Sequence, residues 1–406
     1  MRINDQEFNR LTVLKAIRRA EPIARTELAG LTGLSGGTIT ELTGDLVRRQ
    51  VIIEEKVAAQ GRGRPRVQLR MNPQGAHMVG AFLSNHGGLT VEIINLRGDS
   101  VFAKTSKMPP TTTIAALAEA VATIIDATIA ASPFRKSDLH RVGVTLPAIL
   151  DNIRGVVYFF VTYPAQPTPV ADIIEKRLQL PVVIDNSVNV MARAEHWFSK
   201  ETHVDDFSLI SLDLGIGSAR YVAGMLSAGA HGINPELGHM KVAFEHERRC
   251  YCGGSGCVAS YCTIWGIANQ ICELRGREPP TLAALMDAYR EFVSDARNGD
   301  AGARAIFDQA GRLLGTAMAS HINASDPGKL IILIFDPFLS DMISVAFHAA
   351  LKHHTLPALY ERTAIELRTI EGDDLMWKGS AALVLEQIYR LPQEPGSMQV
   401  EAKSRQ

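Results

Sequence analysis

Apolar residues recur at helical spacing from Phe8 to Arg19, with Leu11, Leu14 and Ile17 on one face, and Glu21-Pro22 closes this first predicted helix. Thr26 is placed to cap a second short helix, Glu27 to Thr32, which Gly33 ends. Ser35 then caps a third, from about Gly36 to Arg49. Along it Ile39, Leu42, Leu46 and Val47 make one apolar stripe, leaving Gly37, Thr38, Thr40, Glu41 and Thr43 around the other faces. The period then falls to two. Val51-Ile52-Ile53 and Val67-Gln68-Leu69 alternate as strands, joined through Gly61-Arg62-Gly63-Arg64-Pro65-Arg66. Beyond a linker at Met71-Asn72-Pro73-Gln74-Gly75, strand and helix patterns alternate up to Leu391-Pro392, and the polar remainder to Gln406 reads as a loose tail.

Three short helices and a hairpin, in that order, predict a winged helix-turn-helix over residues 1–72. Ser35, Gly36, Gly37, Thr38 and Thr40 open the third helix with side chains small enough for close approach to a major groove, and Arg48 and Arg49 at its end are placed for phosphates. Arg62, Arg64 and Arg66 lie on a narrow, extended wing that suits an A·T-rich minor groove with its deeper negative potential. Charge sharpens this. Residues 1–70 carry 13 Lys/Arg against 8 Asp/Glu, while the whole chain has a net charge of −1, so the basic end is the front end. The expected partner is double-stranded DNA, as an A·T-rich pseudo-palindromic operator bound by a homodimer or higher homo-oligomer.

At 406 residues the chain calls for two or three domains. The apolar run from Ile114 to Ala131 is interrupted by Glu119 and Asp126, and reads as a helix of a soluble fold with no membrane insertion. Met1 to Arg10 is polar and lacks a signal peptide's apolar segment, which points to the cytoplasm and to reduced thiols. All five cysteines fall between Cys250 and Cys272, a clustering that suits a metal better than disulfides. His239 followed by Cys250, Cys252 and Cys257, with Gly253, Gly254 and Gly256 among them, predicts a closed structural Zn2+ site. His246 is the rival fourth ligand, and Cys262 and Cys272 read as core residues.

The Pro235-Glu236-Leu237-Gly238-His239 stretch, the cysteine cluster, the Gly-Arg-Gly-Arg-Pro wing and the alternating strands and helices together resemble the ROK family of repressors and sugar kinases, over nearly the whole chain. The resemblance is to the repressor branch, which joins a DNA-binding domain to two sugar-kinase-like lobes, and it implies an α/β, two-lobed, actin-like ATPase fold behind the winged helix. The lobes are expected at 76–190, completed by a returning helix 376–392, and at 191–375, with 393–406 as tail.

Measured against the kinases of that family, the catalytic residues are eroded. Where an Asn-Asp pair would supply the general base, the chain reads Asn186-Ser187, and a serine hydroxyl is no acceptor for the proton of a sugar hydroxyl. Asp185 is adjacent, but strand neighbours point to opposite faces. The first phosphate loop, Val79 to Asn85, has no acid for Mg2+; the second, Asp213-Leu214-Gly215-Ile216-Gly217-Ser218, runs into Arg220 and Tyr221; and Asp336-Pro337 stands where the family places a glycine pair. No catalytic residue is therefore assigned. The resemblance further implies that Asn186, Glu236 and His239 hydrogen-bond a sugar effector, whereas Ala259 and Ser187 replace two acidic contacts worth roughly 1.5–3 kcal/mol each. The function expected is that of a DNA-binding regulator, a repressor of carbohydrate genes with an inactive kinase-like body. An active sugar kinase bearing a DNA-binding domain, or a regulator governed by a protein partner, are the alternatives.

Overall fold

The computed structural model describes residues 5–57, 66–83, 88–199, 205–245 and 247–389. Its first elements are α1 (Asp5–Ala20), β1 (Ile23–Ala24), α2 (Arg25–Thr32), α3 (Gly36–Arg48), β2 (Ile52–Val57) and β3 (Arg66–Met71). They make three helices on a small antiparallel sheet of order β1-β3-β2. The cap of α2 differs from the expected Thr26. The helix starts at Arg25 with Ala24 as its N-cap, and the Glu27 carboxylate reaches back to accept the N–H of Ala24 at 2.9 Å. Gly33 closes it at φ 69°, a left-handed position that glycine takes without strain. On α3 the buried stripe is Ile39, Leu42, Thr43 and Leu46. Thr43 is thus a core residue, not a free face: its hydroxyl donates to Ile39 O and accepts from Arg25 Nε at 2.7 Å, and Arg25 also pairs with Glu54.

The chain continues through β4 (His77–Leu83), β5 (Gly88–Asn95), β6 (Ser100–Lys107), α4 (Ile114–Ala131), β7 (Leu139–Leu146), β8 (Ile149–Asp151), β9 (Val156–Phe159), α5 (Val170–Leu178) and β10 (Val182–Asn186). Next come α6 (Ser187–Phe198), β11 (Phe207–Leu212), β12 (Ile216–Val222), β13 (Met225–Leu226), α7 (Ala259–Cys262), α8 (Ile264–Leu274), α9 (Leu285–Arg297) and α10 (Ala301–Ser325). The described chain ends with β14 (Lys329–Ile334), α11 (Pro337–His354), α12 (Pro357–Tyr360), β15 (Ala364–Thr369) and α13 (Asp374–Tyr389). The tail expected at 393–406 lies outside the described residues.

Two compact units result. Of the described residues, the first takes those within 1–146, 169–185 and 376–389, and the second those within 147–168 and 186–375. The segment 147–168 therefore groups with the second unit rather than with the expected first lobe. Within that unit the β8–β9 hairpin is held by the N–H of Asn152 on Gly232 O.

Each unit is built on a five-stranded sheet, and the two sheets have one topology. Their orders are β6-β5-β4-β7-β10 and β13-β12-β11-β14-β15. In both, the first strand pairs antiparallel with the second and parallel with the fourth, so two halves with no visible sequence repeat share one α/β plan.

In the first unit α13 packs close to its sheet because Gly80 and Gly143 face each other across β4 and β7. A Cβ on Gly143 would lie 2.6 Å from the Val384 side chain, and one on Gly80 would meet Ser380 and the Glu92 carboxyl. Helix α4 is long and apolar enough by itself to cross a membrane. Its apolar face, including Leu117, Val121, Ile125 and Ile129, is buried in the unit, Glu119 is exposed and Asp126 pairs with Lys136 at 2.7 Å, so packing accounts for its composition. In the second unit the backbones of α10 and α11 meet through Gly311 and Gly315, where a Cβ would strike Ile343 O and Phe347 O at 2.5 and 2.4 Å.

Candidate metal centre and nucleic-acid interface

Helix α3 begins at Ser35, whose hydroxyl accepts the N–H of Thr38 at 3.1 Å and lies 2.9 Å from the Thr38 hydroxyl. Ser35, Gly36, Gly37 and Thr40 are exposed and Thr38 is half-buried, while Ile39, Leu42 and Leu46 hold the opposite side in the core. A Cβ on Gly36 would meet open space, and one on Gly37 only Ser35 Oγ at 3.7 Å. This first turn is a narrow, polar ridge. The other end differs from expectation. Arg48 and Arg49 both approach Asp45, at 3.3 and 2.8 Å; Arg49 is half-buried, whereas the Arg48 side chain stays 76% exposed and open to a further partner. Asp45, four residues before Arg49 on the same helix, was the missed signal. Arg62 and Arg64 lie outside the described residues; Arg66 opens β3, its backbone opposite Val57, and its side chain lies outside the description as well.

The second feature gathers on β12. Gly238 packs on Ile216, where a Cβ would come within 2.9 Å, and the Ser218 hydroxyl donates to Pro235 O, so the Glu236–His239 turn is seated on this strand. From there the chain runs out through Lys241, bridges antiparallel to Cys257, and returns around Gly253 and Gly256, both at positive φ. His239, Cys250, Cys252 and Cys257 are brought together, their ligand atoms all within 4.8 Å of one another. His239 Nδ1 is 3.6 Å from Cys250 Sγ, and Cys252 Sγ is 3.9 Å from Cys257 Sγ. A tetrahedron with metal–sulfur bonds of about 2.3 Å has edges of about 3.8 Å, so this donor set fits a tetrahedral, thiolate-preferring ion. Four protein ligands would leave no position for water on such an ion, whose contribution would be to cross-link the loop. His246 lies outside the described residues. Burial pushes the Cys250 thiol up to about 12. Cys252, exposed, is also penalised by what burial it has, yet the Gly254 N–H, the neighbouring thiols and Lys241 bring it below the usual thiol value. Cys262 and Cys272 are buried in the main apolar cluster of the unit.

Asn186, the N-cap of α6, is already engaged: its Oδ1 accepts the N–H of Val188 at 2.8 Å and its Nδ2 donates to Ala148 O at 2.5 Å. Asp185 is buried at the end of β10. Glu236 sits at the head of the Leu237–His239 turn, and burial raises its carboxyl to about 7. Ala259 is fully buried at the start of α7.

In the loop after β11 Leu214 is exposed and Gly215 half-buried. A Cβ at Gly215 would lie 3.3 Å from the Tyr251 hydroxyl, and the Tyr251 ring stacks on Phe159 and meets His239 and Trp265 edge-on. Strands β11 and β14 end side by side, Leu212 opposite Ile334, so Asp213 and Asp336 follow at neighbouring strand ends. Burial raises Asp213, and Asp336 adds to the rise; Asp336 in turn caps α11 by accepting from Phe338 and Leu339 N–H. Ser84 and Asn85 of the first loop lie outside the described residues.

Two α/β sheets of one topology, with a four-residue imidazole–thiol cluster beside the second, define the class as sugar-kinase-like. The chain belongs to the ROK family, whose model matches residues 85–384. It is 24% identical over 395 residues to the xylose repressor of Caldicellulosiruptor bescii, covering 96% of this chain and 98% of that one. A glucokinase of Halalkalibacterium halodurans is 27% identical over 273 residues, covering 66% of this chain and 82% of the enzyme. Among solved structures, a ROK family transcriptional regulator described as a homologue of the Escherichia coli MLC protein superposes with a TM-score of 0.75 at 26% identity, covering 95% of this chain and 96% of that one. The matches thus relate the chain to transcriptional regulators over 95–96% of its length and to a sugar kinase over 66% of it.

Proposed function

We propose that the protein is a sequence-specific DNA-binding transcriptional regulator, a repressor of carbohydrate genes acting in the cytoplasm. Its N-terminal winged helix-turn-helix reads the operator, and its two-lobed, actin-like body senses a sugar or sugar-derived effector without phosphorylating it. The observation that carries this reading is α3, a capped helix whose core face is fully buried and whose first turn, Ser35 to Thr40, is polar, small and open. The match to regulators through the N-terminal module supports it, since the glucokinase match covers only 66% of this chain. Ser35, Gly36, Gly37, Thr38 and Thr40 enter the major groove, while Arg62, Arg64 and Arg66 of the wing and the more exposed Arg48 meet phosphates or the minor groove. A homodimer sets two such helices one turn of DNA apart.

Gly37→Glu tests the interface without disturbing the fold, because the added side chain has room. The charge and bulk facing DNA are expected to weaken binding at least about 100-fold, about 2.7 kcal/mol, on genomic fragments enriched by the unaltered chain. Unchanged affinity by fluorescence anisotropy would overturn the groove assignment.

The body is read as non-catalytic on three supports: Ser187 at the base position, Tyr251 beside Gly215, and Asp336-Pro337 in place of a glycine pair. In a coupled assay with ATP and a panel of hexoses, pentoses and amino sugars, no turnover above background is expected. Turnover that disappears in Asp185→Asn would replace this reading with that of a sugar kinase. Effector contact is assigned to Asn186, Glu236 and His239, and structural Zn2+ to His239, Cys250, Cys252 and Cys257.

A further inference from the structure

Lys241 stands outside the four metal-ligand positions, yet the fold aims it at them. It lies two residues beyond His239 on the segment that bridges antiparallel to Cys257, so its side chain emerges beside the cysteine loop. Its Nζ donates to Cys257 Sγ at 3.0 Å and to Ser255 O at 2.6 Å, two contacts that hold the ammonium in one place. Gly254 keeps that place open: a Cβ there would sit 3.0 Å from Lys241 Nζ. Three thiolates and a neutral imidazole around a divalent ion leave one net negative charge, and among the described side chains no other cation is recorded within bonding distance of a cluster sulfur.

We propose that Lys241 is a positioning residue of the metal centre, its ammonium bonding the Cys257 thiolate so that the buried sulfur keeps its zinc and resists electrophiles. An N–H donated to a metal-bound sulfur draws charge from it, and a less charged thiolate is a poorer nucleophile. Cys257 itself is fully buried, so the ammonium also serves as its polar boundary with solvent. This rests on the zinc reading given above.

The test compares the full-length chain with Lys241→Met, which keeps the stem and removes charge and donors, and with Lys241→Arg, which keeps both. Zinc content is measured by emission spectroscopy. Zinc release is then followed with a chromophoric chelator, in excess EDTA and during alkylation by iodoacetamide, in which a thiolate sulfur displaces iodide to form a thioether. Lys241→Met is expected to load one zinc per chain and to lose it about tenfold faster in both reactions, with Lys241→Arg close to the unaltered rate. Release from Lys241→Met at the unaltered rate overturns the proposal, as does Lys241→Arg behaving like Lys241→Met. Should Lys241→Met fail to fold, Lys241→Ala carries the test, since it removes the ammonium from an exposed position while every ligand stays; unaltered release from it overturns the proposal equally. An unaltered chain that binds no zinc overturns the metal reading itself, a different result from equal release rates.

Discussion

Changing Cys257 to serine is expected to strip the chain of its zinc and to unfold the loop between His239 and Cys257. Cys257 is the fully buried ligand of the four, 3.9 Å from Cys252, and its loop carries few apolar contacts of its own, with Cys250, Ala259 and Tyr251 as the local cluster. Such loops are held by metal coordination, which contributes roughly 10–16 kcal/mol to folding in isolated zinc fingers. Here the sheet and α8 to α11 remain intact without it, so the loss is expected at about 4 kcal/mol, read from urea unfolding, with zinc content falling from one per chain to none. Cys262→Ser is the control. That thiol is buried against Ala310 O in the helical core, away from the ligands, and its variant should keep full zinc. A Cys257→Ser chain with a full complement of zinc would remove the centre from this description.

Glu92 should make the protein less stable as pH rises, an unusual sign for a carboxylate. It lies on β5 at 2% exposure, opposite Gly80 and beneath α13, and no group completes a hydrogen bond of good geometry to its Oε1. Burial raises it from 4.5 to about 8, and the Ser100 and Ser380 hydroxyls offset only part of that rise. Below 4.5 both folded and unfolded chains hold the proton and the stability is fully present. Between 4.5 and about 8 only the folded chain holds it, so stability falls by about 1.4 kcal/mol per pH unit until the folded carboxyl ionises. Several kcal/mol are at stake across this window. Glu92→Gln removes that slope, so the variant should gain on the unaltered chain steadily from pH 5 to pH 8.5 in urea unfolding. A difference between the two chains that does not change with pH would mean that Glu92 does not titrate as described.

Much of the N-terminal module was legible because its determinants are local. The period of Ile39, Leu42 and Leu46, the cap at Ser35 and the stop at Gly33 act within a few residues, and the helices formed where these signals stand. The two-residue strand β1 was not legible, because Ile23 and Ala24 become a strand only by pairing with Leu69 and Gln68. The same distance hid Arg25 on Thr43, which turned an apparently free threonine into a core residue. The duplicated sheet order left no trace in the sequence, since a sheet's topology is set by which strands pair and not by which residues they carry.

The sequence by itself determined the metal donor set, His239 with Cys250, Cys252 and Cys257, because a chelating cluster needs particular side chains at short spacing and glycines to turn between them. It also determined that a serine follows Asn186, since a serine at position 187 is a serine in any fold. Only the tertiary structure decided that Lys241 faces Cys257, that Tyr251 lies beside Gly215, and that Glu92 is shut away from water. The reason is physical. Identity and local period travel with the chain, whereas burial, proximity and the resulting charge states arise only when distant segments pack.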